Sequence, residues 1–139
     1  MSLEENKACV RRFIGAFAQS DLDAIVAEVT PDFIDHDPPG GVPIRLEGMK
    51  EFARMMFTAF SAIENRVEDL IAEGDKVTIR FTVNATHRGP YLGIAATGRR
   101  VSWQIIDIFR LKEGKIAERW GQGNVLGLLK QLGAQIISA

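Results

Sequence analysis

Two stretches hold most of the side chains able to move a proton or orient a small molecule: Thr86-His87-Arg88-Gly89 and Trp120-Gly121-Gln122-Gly123-Asn124. Val77, Ile79, Phe81, Val83 and Ala85 alternate with polar neighbours and share a strand face with His87, which closes that face where the strand reaches its rim. An imidazole there can act as general base or hydrogen-bond donor near neutral pH. Burial lowers its pKa, and a nearby carboxylate raises it. The plainer alternative is a rim histidine bonded to a loop carbonyl.

A second anomaly lies on one face of the next strand. Val101, Trp103, Ile105, Asp107 and Phe109 alternate onto one side, and Asp107 is the only charge among them. An ionised carboxylate among apolar side chains is costly unless paired. Two roles fit it: an ion pair with Arg80 or Arg88 on the neighbouring strand, or a pocket acid of raised pKa. His36, between Asp35 and Asp37, reads either as a base with its orienting carboxylate or as a solvated turn. Trp120 ends a strand and is an aromatic ligand wall or a core residue. Asn124 follows it and is either a site amide or the N-cap of the last helix. Phe17 and Met56 belong to apolar helix faces, where core and cavity wall look alike.

The elements that must position these groups follow from periodicity. Ser2 with Glu5 is a capping-box pattern opening a helix to about residue 18, whose Val10, Phe13, Ile14 and Phe17 form one stripe. Ser20 and Asp21 cap a short second helix through Ile25, Val26 and Val29, ended by Thr30-Pro31. A brief strand around Phe33 runs into a loop from Asp35 to Gly41, and Glu47-Gly48 opens a third helix with Phe52, Met55, Met56, Ala59 and Phe60. The period then changes to two, giving strands over 63–72, 76–86, 99–111 and 116–120, and an amphipathic segment over 124–132. Helices followed by an antiparallel meander indicate an α+β domain spanning 1–139, its sheet curled around the helices into a cone with one open end. The mouth of such a cone is a natural small-molecule site.

Composition narrows the partners. With 139 residues the chain can bury a core unaided, and a net charge of −1 offers no basic field for nucleic acid or an anionic membrane. The apolar runs are too short to span a bilayer, and the first residues lack a signal-peptide pattern. A single cysteine, Cys9, excludes an internal disulfide and fits a reducing cytoplasm; its setting between Ala8 and Val10 suits packing better than nucleophilic work. No metal-ligand spacing is present.

Taken together, several motifs resemble the SnoaL-like polyketide (ester) cyclase family, within the superfamily similar to nuclear transport factor two. They are the helix from Asn6 to Phe17, Asp32-Phe33-Ile34-Asp35-His36, Glu73-Gly74-Asp75-Lys76-Val77, Thr86-His87-Arg88-Gly89, Thr97-Gly98-Arg99 and Phe109-Arg110. Gly114-Lys115-Ile116-Ala117-Glu118-Arg119-Trp120 and Leu126-Gly127-Leu128-Leu129-Lys130-Gln131-Leu132-Gly133 complete the set. The resemblance implies a conical α+β barrel paired as a homodimer through its sheets. It also implies acid/base chemistry, typically an aldol closure of a polyketide ester, without metal or organic cofactor.

The family's acid/base aspartate stands four residues after the strand-ending tryptophan, and histidines matching His36 and His87 accompany it. Here that position is Asn124, and an amide cannot shuttle a proton. The catalytic candidates are therefore His87, Asp107, Asn124 and His36, with Trp120, Arg88, Trp103, Phe33, Phe17 and Met56 as substrate contacts. The expected activity is cofactor-free proton transfer on a small, largely apolar carbonyl compound. The alternatives are a non-catalytic binder of small molecules on the same scaffold, or a protein-interaction module.

Overall fold

The computed structural model describes residues 2–135 and Ile137. Helix α1 spans Leu3–Ala18, and the Ser2 hydroxyl accepts from the Glu5 N–H at 3.1 Å, satisfying a donor that the first turn leaves free. Its stripe turns inward as the spacing predicts: Val10, Phe13 and Ile14 are buried, and Phe13 meets Phe109 edge-on at 5.5 Å. Each such side chain removed from water contributes about 1.5–3 kcal/mol. Cys9 lies on the same face, fully buried, with its Sγ 3.7 Å from the Glu28 carbonyl oxygen. Burial foremost pushes its thiol up to about 12, so it stays protonated and is packing rather than a nucleophile.

Helix α2, Leu22–Ala27, is capped by Asp21. It stops earlier than expected, because Val29 and Thr30 already belong to strand β1, Val29–Asp35. Two β-region residues that sequence pattern assigns to a helix end are claimed by pairing with a distant strand. A 3₁₀ turn (Pro39–Gly41) and helix α3 (Leu46–Ala59) follow. Then come β2 (Phe60–Glu73), β3 (Lys76–His87), β4 (Arg100–Lys112), β5 (Lys115–Gly123) and helix α4 (Val125–Gln131).

The five strands form one sheet in the order β1-β5-β4-β3-β2. β2 to β5 are the antiparallel meander expected, and β1 adds a parallel edge beside β5. The sheet is not closed: β1 and β2 are its two edges, so the cone is an open curved sheet rather than a complete barrel. β2 starts with a register shift between Ser61 and Glu64 and a left-handed Ala62 at φ 49°, a bulge that turns Ile63 and Asn65 toward the helices. No helix among the described residues is long and apolar enough to cross a membrane.

Candidate functional site

Between the concave face of the sheet and helices α1 and α3 lies a cavity of about 140 Å³. Its wall is mostly aromatic and aliphatic, including Phe13, Phe17, Phe33, Phe52, Met56, Phe81 and Trp103. Polar groups enter it at few places: Asp35, Asp107 and Arg119 together, Asn65, and Tyr91. A largely apolar concavity with a few convergent polar groups is the ordinary form of a small-molecule site.

The acidic end is built by strand register. Asp35 of β1 pairs opposite Arg119 of β5, and Asp107 of β4 stands opposite Gly121, two residues farther along β5. Residues two apart share a face, so Arg119 can reach past Gly121 to Asp107. Its Nη2 donates to Asp107 Oδ1 at 2.8 Å, and its Nη1 donates to Asp35 Oδ1 and Oδ2 at 3.0 and 3.1 Å and to the Asp37 carbonyl at 3.0 Å. The Gly121 N–H donates to Asp37 Oδ2 at 2.9 Å, which fixes the neighbouring loop.

Two buried carboxylates thus share one buried guanidinium. Burial dominates at Asp107 and, opposed by Arg119 and reinforced by the charges of Asp35 and Asp37, pushes its carboxyl up to about 6. A carboxyl of that pKa is ionised at neutrality yet basic enough to accept a proton. The pairing also corrects the expected partner of Asp107: Arg80 instead pairs with Asp69, Arg88 is exposed, and the cation comes from β5.

Gly121 is a condition of this arrangement. A Cβ at that position would stand 2.0 Å from Asp107 Oδ1 and 2.5 Å from Arg119 Nη2. Gly121→Ala should therefore displace the ion pair and cost about 1–3 kcal/mol, the usual penalty of overpacking. Urea unfolding of the variant measures it, and unchanged stability would show that the pair tolerates the shift.

The other expected site residues separate into those on the cavity and those away from it. Asp107, Trp103, Phe33, Phe17 and Met56 line it. His87 is fully buried at the end of the inner face of β3, as alternation predicts, but is not among the lining residues. It stands one layer behind, its ring 5.6 Å from Phe60, which in turn packs on Tyr91 and Trp103.

The Thr97 N–H donates to His87 Nδ1 at 3.2 Å, so that nitrogen must be the acceptor and the proton sits on Nε2, which is buried without a partner. The basic lone pair is already used, which argues against the general-base role.

His36 and Trp120 follow from the same parity that brings Asp35 and Arg119 inward: each next residue points out. On the convex face their rings stack 4.7 Å apart and 6° from parallel, with His36 Nε2 3.0 Å from Glu118 Oε1. Glu118 also pairs with Arg110, and Lys76 Nζ lies 5.5 Å above the Trp120 ring. Neither residue is a cavity wall. Asn124 takes its structural role as the cap of α4: its Oδ1 accepts from the Gly127 N–H at 2.9 Å, and its own N–H donates to the Gln104 carbonyl at 2.9 Å. Its neighbours Gly123 and Val125 line the cavity. Sequence reasoning missed Arg119, Asn65 and Tyr91. The signal for Arg119 was available, since an Asp107 on an apolar face demands a cation and Arg119 lies on the adjoining strand.

Against known proteins, the chain matches the SnoaL-like polyketide cyclase family over residues 7–132. Aklanonic acid methyl ester cyclase DnrD of Streptomyces peucetius is 29% identical over 134 residues, covering 89% of this chain and 88% of that protein. Among solved structures, TsrD from Streptomyces laurentii superposes with a TM-score of 0.88 at 31% identity, over 97% of this chain and 99% of TsrD. AclR of Streptomyces galilaeus, described as a candidate hydroxylase, gives the same TM-score of 0.88 and 31% identity over 97% of this chain and 100% of its own. A match of this extent, on the open curved sheet and helices described above, makes this chain a member of the SnoaL-like polyketide cyclase family.

Proposed function

We propose that this protein catalyses proton transfer at a carbon next to a carbonyl, in a small and largely apolar substrate held in the cavity, with Asp107 as the base. The observation that carries this reading is a cavity-lining carboxylate buried beside a guanidinium, its pKa at about 6. A carbon acid needs such a base and a donor for the enolate oxygen as it forms. Arg119 lines the cavity beside Asp107, and its guanidinium carries N–H groups suited to that oxygen. Ring closure or isomerisation then follows from where the enolate carbon finds its electrophile. Membership of the cyclase family and similarity to an ester cyclase support this reaction class.

The test is exchange of the α-protons of a hydroxytetralone in D₂O, followed by proton NMR. Acceleration by the protein supports the reading; no acceleration over buffer overturns it. The competing reading, a binding protein without turnover, draws on Asn124, whose amide replaces the family's acid and is engaged in capping. A tetralone that binds without exchanging would favour it.

Homodimerisation through the convex sheet face belongs to the same proposal. Ile71, Thr78, Ile108 and Trp120 lie in one row across four strands, and Ile71, Ile106 and Ile108 are exposed. A row of exposed isoleucines is apolar surface that a second copy would cover. Ile108→Lys should shift the protein to monomer in sedimentation velocity, and a monomeric parent would refute the pairing.

A further inference from the structure

Arg119 touches two carboxylates, and it does not hold them alike. Its Nη1 donates to both oxygens of Asp35, at 3.0 and 3.1 Å, and to the Asp37 carbonyl at 3.0 Å. To Asp107 it gives one bond, from Nη2 to Oδ1 at 2.8 Å. Asp35 is itself fixed: its Oδ1 also accepts from the Asp37 N–H at 2.9 Å, and its own N–H donates to the Ile44 carbonyl at 2.7 Å. One carboxylate has both oxygens engaged by the cation, and the other only one. Asp35 is the anchor of the guanidinium, and Asp107 keeps an oxygen that the guanidinium does not use.

The difference matters because a guanidinium is a planar fork able to clasp one carboxylate through two N–H groups at once. A carboxylate clasped in that way is held ionised and accepts a proton poorly. Here the fork is divided between β1 and β4, so its charge is shared by two acids. Asp35 also places its own negative charge beside Asp107, which favours the protonated form, and Asp37 acts in the same sense from the loop after β1. Among the described residues, no charged side chain of α1, α3, β2 or β3 lines the cavity. Arg119, Asp35 and Asp37 are therefore the charges that Asp107 faces.

We infer that Asp35 is a positioning residue: by anchoring Arg119 through Nη1 it keeps the guanidinium from clasping Asp107, and so leaves Asp107 Oδ2 able to take a proton from the substrate. This rests on the proton-transfer reading for where the proton comes from, while the hold of Asp35 on the basicity of Asp107 is present without substrate.

The experiment removes the anchor's charge and keeps its shape. In Asp35→Asn the amide oxygen can still accept from Nη1, but the competing anion is gone and the cation acts on Asp107 alone. Carbon NMR of the Asp107 carboxyl, identified by its absence in Asp107→Asn, should show its titration moving from about 6 to lower pH. The expected displacement is about one pH unit or more, the scale of one nearby charge. The rise of α-proton exchange with pH should move with it, and the plateau rate should fall as the base weakens. A side chain that merely held the fold together would lower the rate at every pH and leave the midpoint in place. An unmoved or raised midpoint in folded Asp35→Asn therefore overturns the inference. The parent supplies a test that needs no variant. An anchored Arg119 should give two separate Nη resonances in nitrogen NMR, whereas the single averaged signal of a freely turning guanidinium overturns the inference as well. Failure of the proton-transfer reading shows separately, as a parent that exchanges no tetralone protons while the Asp107 titration still moves in Asp35→Asn.

Discussion

Asp107→Asn should lower the rate of α-proton exchange on a hydroxytetralone by about 10²–10⁴-fold, the range associated with loss of a positioned general base. The substitution keeps the size of the side chain, and an amide oxygen can still accept from Arg119 Nη2, now at 2.8 Å from Asp107 Oδ1. The variant therefore tests the proton acceptor rather than the shape of the cavity. The pH profile adds a second signature. With its carboxyl pushed up to about 6, Asp107 is an acid below that pH and a base above it. The parent rate should rise through pH 6 and level off, and the profile of Asp107→Asn should be flat. A variant rate equal to the parent's would remove Asp107 from the chemistry.

Arg119→Met should produce a large loss of stability. The guanidinium is 14% exposed and serves Asp35 and Asp107, whose side chains are 9% and 5% exposed. Removing the shared cation leaves two buried carboxylates facing each other, and breaking a buried pair in this way costs about 3–5 kcal/mol at neutral pH. The deficit should shrink as the solution is acidified, because protonation removes the charge that lacks a partner.

The sign is already set at Asp107 in the parent. Its folded pKa, about 6, lies above the ordinary aspartate value of 3.8, so the folded state holds the proton more tightly than the unfolded chain. Its contribution to stability is most favourable below pH 4 and falls by about 3 kcal/mol as pH rises through 6. Arg119→Met steepens that fall. Urea unfolding of both proteins at pH 4 and 7 measures it, and a pH-independent deficit would mean that the loss is packing rather than charge.

Alternation along the strands made most of this architecture legible. It placed Asp107 on an apolar face and buried His87, both as found. The strand boundaries hold within a few residues for β2, β3 and β4. What alternation cannot supply is which strand lies beside which. The parallel pairing of β1 with β5 joins residues more than eighty positions apart, and only that pairing brings Asp35 to Arg119. Asp107 was matched to a cation on β3 or its rim, whereas its partner Arg119 lies on β5, the strand that follows β4 across a tight turn.

His36 and Trp120 illustrate a further limit. Their residue types suggested a pocket, yet parity with Asp35 and Arg119 sends both to the convex face. Asn65 left no trace in the pattern, because its turn toward α1 depends on a bulge at Ala62 and on the Ile14 carbonyl.

The cap of α4 has an evolutionary consequence. Asparagine and aspartate start helices about equally well, so the fold exerts almost no preference between them at position 124, where the side chain holds the Gly127 N–H. Exchange of one for the other is a short mutational step across nearly level ground, taken without a compensating change elsewhere. Descendants of such a chain can lose or regain a carboxylate between the cavity-lining Gly123 and Val125 while folding equally well throughout. Stability therefore leaves the choice between amide and acid at that position open, and lineages can pass from one to the other without a fold-level barrier.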